Sequence, residues 1–288
     1  MIEQAPAWRG PLLMMAAMAC YVLNDTLVKL TLQAFPAGQV LAVRGVAASV
    51  LVLIVVRPDG TQLKADLREP GVLLRCALEV STAVTSVLAL ARASLTTVSA
   101  LMMVAPLLVA VASMLMRWEP LRPARLLAVL AGLFGALLVM RPQARSHGAG
   151  LTLAVLCAIS LAARDVVTRR LPPSVSTATV AVATTAAVCA AAPLLGLALH
   201  ETWHPLMRRE TLALLGAAAC AAAGNYALIA ACRRTDLALV APFRYSILVW
   251  ASLLAYLVWG DVPDPVTLLG IAVIAVAGIS NLRGARPA

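Results

Sequence analysis

Charged and aromatic side chains set inside apolar stretches are where this 288-residue chain could do chemistry. The clearest case is Leu239-Val240-Ala241-Pro242-Phe243-Arg244-Tyr245-Ser246-Ile247-Leu248-Val249-Trp250, inside an apolar run from Leu237 to Trp259. An arginine near the centre of a bilayer costs roughly 2.5–3.5 kcal/mol even on the mildest scale. A proline there removes one helical hydrogen bond. Such a segment is tolerable where its polar face looks into a cavity or a protein interior rather than lipid. Arg244 is therefore read as facing a solute pathway, about eight residues inside its helix, with Tyr245 and Trp250 offering rings for a flat solute to stack on. Arg44 is the other arginine left within an apolar run.

Three pairs of opposite charge stand four residues apart, on one helix face each: Asp25 with Lys29, Asp165 with Arg169, and Arg75 with Glu79. Pairs at this spacing partly neutralise each other. Two readings follow. The pairs make charge tolerable near the membrane and fix helix ends, or Asn24, Asp25, Lys29 and Arg164, Asp165, Arg169 form pseudo-symmetric gates. Arg75, Glu79, Thr82 and Ser86 make a polar stripe, which faces the bundle or a cavity. Tyr21, Asn225 and Tyr226 add polar and aromatic groups well inside other apolar runs. The candidate solute-binding set is Arg244, Arg44, Tyr245, Trp250, Tyr226, Asn225, Glu79 and Tyr21. Interhelical bonds from Arg44 to Glu79 and from Arg244 to Asp165 are the structural alternative.

The elements that must position these groups follow from composition. The chain is 62% hydrophobic, only 12% charged, and has a mean hydropathy of +0.92. A soluble domain is nearer half apolar and a quarter charged, so the chain is a polytopic membrane protein. Ten helical segments are expected, at 11–32, 38–56, 71–92, 95–116, 123–140, 149–170, 175–199, 211–232, 236–259 and 264–282. Breaks between them carry Pro, Gly and charge, as at Arg57-Pro58-Asp59-Gly60 and Asp261-Val262-Pro263-Asp264-Pro265. The first segment runs into Asn24, Asp25 and Lys29 with no small-residue cleavage site before them, so it reads as a membrane helix and not a signal peptide.

Of the Lys and Arg residues near segment ends, 15 fall on the side of the N-terminus and 6 on the other. The positive-inside rule then puts both termini in the cytoplasm, and the expected location is a bacterial inner membrane. The same rule explains the net charge of +10 without nucleic acid. Trp8, Trp118, Trp203 and Trp259 sit at segment ends, as an interfacial belt would.

The two halves repeat. Asn24-Asp25-Thr26-Leu27-Val28-Lys29 matches Arg164-Asp165-Val166-Val167-Thr168-Arg169 at a shift of 140. Ala91-Arg92-Ala93-Ser94 matches Cys232-Arg233-Arg234-Thr235 at a shift of 141. Each half holds five segments, an odd number, so the second half is inserted upside down. The expected fold is an all-α polytopic membrane protein, ten transmembrane helices in two inverted five-helix repeats, 1–147 and 148–288. Inverted repeats usually place a solute site near the midplane between the halves.

The Ala-Pro-Phe-Arg-Tyr ninth segment running to Trp259-Gly260-Asp261, with Trp118-Glu119-Pro120 and the glycines Gly132 and Gly135, resembles the drug/metabolite transporter superfamily, of EamA type. Asp261 departs from the glutamate that many members carry there. Leu23-Asn24-Asp25-Thr26-Leu27-Val28-Lys29, Gly38-Gln39, Arg44-Gly45 and Arg164-Asp165-Val166-Val167-Thr168-Arg169-Arg170 are similar to members described as riboflavin importers, and also to S-adenosylmethionine carriers. The resemblance implies a secondary or facilitative transporter working by alternating access, with riboflavin or a similar planar metabolite as the favoured solute. An exporter of amino acids or related metabolites is the alternative.

Other motifs point elsewhere and are set aside. His200-Glu201-Thr202-Trp203-His204 matches the zinc-protease string, yet it ends at Pro205 with His147 the only other histidine. The six cysteines form no Cys-x-x-Cys pair. No phosphate-binding loop or dinucleotide fingerprint occurs. The expectation is a protein that is not an enzyme and has no cofactor or metal, whose partners are a small-molecule solute and the lipid bilayer. No nucleic acid is implied, and the chain is a monomer or homodimer.

Overall fold

The computed structural model describes residues 9–56, 66–116, 123–140, 148–172, 174–207, 209–234 and 241–283, and no strand occurs among them. The helices are α1 (Arg9–Thr31), α2 (Ala37–Val56), α3 (Pro70–Leu90), α4 (Leu95–Met102), α5 (Ala105–Leu115), α6 (Pro123–Met140), α7 (Gly148–Arg170), α8 (Thr177–Ala198), α9 (Arg209–Arg234), α10 (Ser246–Trp259) and α11 (Pro265–Arg283). A 3₁₀ turn, Ala241–Tyr245, leads into α10. Helix is what lipid demands of an apolar run, because each backbone group must find its partner within its own segment. α1, α3, α7 and most of α2 and α8 are long and apolar enough to cross a membrane. The chain is an all-α polytopic membrane protein.

Local chemistry sets the helix ends. Ser94 caps α4, its hydroxyl accepting from the Thr97 amide at 3.2 Å. Asp264 accepts from the Thr267 amide at 2.8 Å at the start of α11, where Pro265 has no amide hydrogen that would need an acceptor. Gly260, at φ 69°, terminates α10 in the left-handed region.

Two expectations need correction. The segment expected as one helix over 95–116 is two, α4 and α5, separated by a turn at Met103 and Val104. Pro106 is the physical reason: it has no amide hydrogen to continue the ladder, and Leu107 and Leu108 restart it on the Val104 carbonyl. The segment expected over 236–259 is described from Ala241, and its α-helix begins only at Ser246. Arg244 thus lies in the 3₁₀ turn before α10, not within a continuous α-helix.

The helices gather into two compact units. One holds α1 to Thr26, α4, α5, α6, α9 from Ala223, the 3₁₀ turn, α10 and α11. Within it α11 packs along α6 and α10 packs on α4. A Cβ at Gly135 would come 2.8 Å from the Gly270 carbonyl oxygen, so this glycine permits the close approach of α6 to α11. The other unit holds α1 from Leu27, α2, α3, α7, α8 and α9 to Ala222. There α3 packs on α7 and α8, and α2 on α8, around buried Val72, Cys76 and Ala183.

Candidate solute-binding site

The densest polar group lies in the second unit, on the seam where α3 meets α7. Arg75 is near the start of α3 and Glu79 is one turn on, so the helix brings guanidinium and carboxylate together as an ion pair. The carboxylate is shared. The same oxygen of Glu79, Oε2, lies 3.5 Å from Arg164 Nη1 on α7. Arg164 also donates to Asp165 Oδ1 from Nε at 3.0 Å and from Nη2 at 2.9 Å. Arg75 Nε donates to the Thr168 hydroxyl at 2.7 Å, and that hydroxyl donates to the Arg164 carbonyl at 2.7 Å. Further along the seam the Ser81 and Ser160 hydroxyls are 2.8 Å apart.

These charges are partly accessible. Side-chain exposures are 13% for Arg75, 25% for Glu79, 20% for Arg164 and 33% for Asp165. Ion pairs so placed contribute only about 0–1 kcal/mol each to stability. Two cations and two anions thus share one helix seam.

The first-half residues read as gates in the sequence are on α1. Asn24 is buried and donates to Asp25 Oδ1 at 2.8 Å, while its own Oδ1 is buried with no hydrogen-bond partner among the described residues. Lys29 donates to the Ala93 carbonyl at 2.6 Å, tying α1 to the end of α3. Tyr21 lies against α9, where a Cβ at Gly224 would stand 3.3 Å from its ring. Arg169, Asn225 and Tyr226 have side chains outside the described residues.

Arg244, Tyr245 and Trp250 are in the first unit with α10. Tyr245 is buried, and Arg244 and Trp250 are half-buried. The Trp250 indole Nε1 and the Ser246 hydroxyl, one turn apart, are both buried and have no hydrogen-bond partner among the described residues. On α4, which packs on α10, the Thr96 and Ser99 hydroxyls are in the same state. Buried orphans are uncommon because each costs about 1–3 kcal/mol. Arg44, on α2 in the second unit, is half-buried and does engage a partner.

The structure thus joins Glu79, Arg164 and Asp165, and sets Asn24 on Asp25. It places Arg44 and Arg244 in different units. Sequence reasoning missed Thr168, Ser81, Ser160, Thr96, Ser99 and Ser246. Thr168 and Ser246 stood inside stretches already singled out. The others are common residues whose role appears only when helix rotation is known.

The protease-like string turns out to be a clamp. It lies past the end of α8, with His200 at φ 52°. Glu201 accepts from the Gly38 amide at the start of α2, at 2.9 Å and 3.2 Å to its two oxygens. The Gln39 side chain donates to the His204 carbonyl at 2.6 Å and accepts from the His204 amide at 2.9 Å. The histidines therefore do not share a helix face.

Several apolar helices long enough to cross a bilayer define a multi-pass membrane protein. The chain belongs to the EamA-like transporter family, whose model matches residues 8–141 and again 148–282. It is similar to the pseudopaline exporter CntI of Pseudomonas aeruginosa strain PAO1, at 26% identity over 280 residues, covering 95% of this chain and 96% of that one. The CntI protein of strain UCBPP-PA14 matches to the same extent. A solved crystal structure matches with a TM-score of 0.66 at 20% identity, over 94% of this chain and 95% of its own, a likeness of fold alone. Membrane transport of a solute follows from the family. Riboflavin as that solute does not.

Proposed function

We propose that the protein is a secondary or facilitative exporter of a small metabolite bearing both carboxylates and amino groups, working by alternating access. The observation that carries this reading is the shared position of Glu79 between Arg75 and Arg164, with Asp165 beside the second. A solute carboxylate can take the place of Glu79 at either guanidinium, and a solute ammonium can take the place of a guanidinium at Glu79 or Asp165. Each displaced charge then finds its new partner in the solute, so the exchange strands no ion away from water. The planar guanidinium fork suits a carboxylate in two-point contact. The pseudopaline exporters among the relatives support the outward direction, and pseudopaline is itself a candidate cargo. S-adenosylmethionine, which carries both groups, remains within this class.

In this reading the chain lies in a bacterial inner membrane with both termini in the cytoplasm, as a monomer or homodimer. Asn24, Asp25 and Lys29 with Arg164, Asp165 and Arg169 act as gates of the two repeats, 1–147 and 148–288. Uptake of riboflavin is a second reading. It is favoured by Trp250, whose buried indole N–H has no acceptor and would find one in a flavin carbonyl. Counterflow in proteoliposomes, screened over amino acids, pseudopaline, S-adenosylmethionine and riboflavin, separates the two. Exchange of solutes bearing both charged groups supports the exporter, and exchange of riboflavin alone supports the second reading.

A further inference from the structure

At the end of the second unit opposite the charged seam is a cavity of about 280 Å³. It is an open cleft lined by Leu32, Phe35, Leu88 and Leu199 and by two charged residues, Arg92 and Glu201, and polar atoms supply more of its surface than apolar ones. These two form no ion pair with each other among the described residues. Arg92 has one hydrogen bond there, from Nη1 to the Leu88 carbonyl at 3.2 Å, although a guanidinium carries five donors. Among the described residues the Glu201 carboxylate accepts only from the Gly38 amide, although a carboxylate has about four acceptor positions. Opposite charges thus line one open cleft without pairing with each other.

We infer that this cavity is a binding vestibule for an α-amino-acid group, its carboxylate on Arg92, its ammonium on Glu201 and its side chain on the leucine and phenylalanine wall. A zwitterion satisfies both charges at once, which neither a simple anion nor a simple cation does. The inference rests on the exporter reading above and deepens it. In the orientation derived from charge, the cavity opens on the outer face, where an exported solute would pause before release.

The test uses purified full-length protein and three matched probes: L-leucine, isoamylamine, which lacks the carboxylate, and 4-methylpentanoate, which lacks the amine. Binding is read by saturation-transfer NMR on wild type, Arg92→Gln and Glu201→Gln. Gln at 201 keeps an oxygen for the Gly38 amide, so the clamp persists while the charge goes. Leucine is expected to bind wild type and to weaken about tenfold or more in each variant, the loss of one charge-assisted contact. Isoamylamine should respond only to Glu201→Gln and 4-methylpentanoate only to Arg92→Gln. Leucine that fails to bind wild type, or binds all three proteins equally, overturns the vestibule. Amino-acid counterflow with unaltered KM in both variants does the same while leaving the exporter reading standing. Leucine bound as expected by a protein that transports no amino-acid-like solute keeps the vestibule and removes the exporter reading.

Discussion

Glu79 on α3 and Arg164 on α7 lie 3.5 Å apart, and the oxygen that faces Arg164 is the one that pairs with Arg75. One carboxylate thus serves two guanidiniums across a helix seam. Glu79→Gln should lower transport at least tenfold, because the loss of one charge-assisted contact is worth about that much. Its melting temperature should stay close to wild type, since partly solvated pairs add about 0–1 kcal/mol. Transport by this variant at the wild-type rate would make the cluster structural.

The clamp at the start of α2 yields a prediction with an unusual sign. His204 is held through its backbone amide and carbonyl, so His200→Ala with His204→Ala should leave both bonds, and metal content, unchanged. Gln39→Ala removes both bonds and should destabilise by about 1–3 kcal/mol, at 0.5–1.5 kcal/mol per bond. Thermal melts and metal analysis of the two proteins check this. Stoichiometric zinc lost with the histidines would revive the protease reading.

Much of this was legible in the sequence. Hydropathy marks the membrane segments because lipid leaves an apolar run no choice but helix. The Arg75–Glu79 pair follows from helical spacing alone. The place of Arg244 was not legible, because Pro242 opens a 3₁₀ turn instead of merely kinking an α-helix. The Arg164–Glu79 contact, the Thr168 bridge and the Gln39–His204 exchange depend on how helices are rotated and stacked, and no local pattern encodes that.

Trp250 separates a recognition role from a packing role. Its indole N–H is a buried donor without an acceptor, so Trp250→Phe should leave stability unchanged or raise it by about 1–2 kcal/mol. If the indole serves the solute, transport falls all the same. Arg244→Lys should likewise lose most transport while keeping charge and expression, because an ammonium lacks the planar donor fork. Transport kinetics measured beside melting curves decide, and a destabilised Trp250→Phe with normal transport would assign the ring to packing.

Orientation can be tested with fusions. Alkaline phosphatase joined after Arg145 should be active and after Ala288 silent, as the 15-to-6 distribution of basic residues requires. The reverse pattern would turn the chain over and move the Arg92 cavity to the cytoplasmic face.

The central claim is that the cargo carries carboxylate and amine together and exchanges with the Glu79 seam. Counterflow in proteoliposomes tests it most directly, comparing labelled amino-acid-like cargo with its methyl ester and its N-acetyl derivative. The account predicts saturable exchange of the unmodified solute, lost on blocking either group and lost in Glu79→Gln. Equal exchange of the blocked derivatives, or exchange of riboflavin alone, would contradict it.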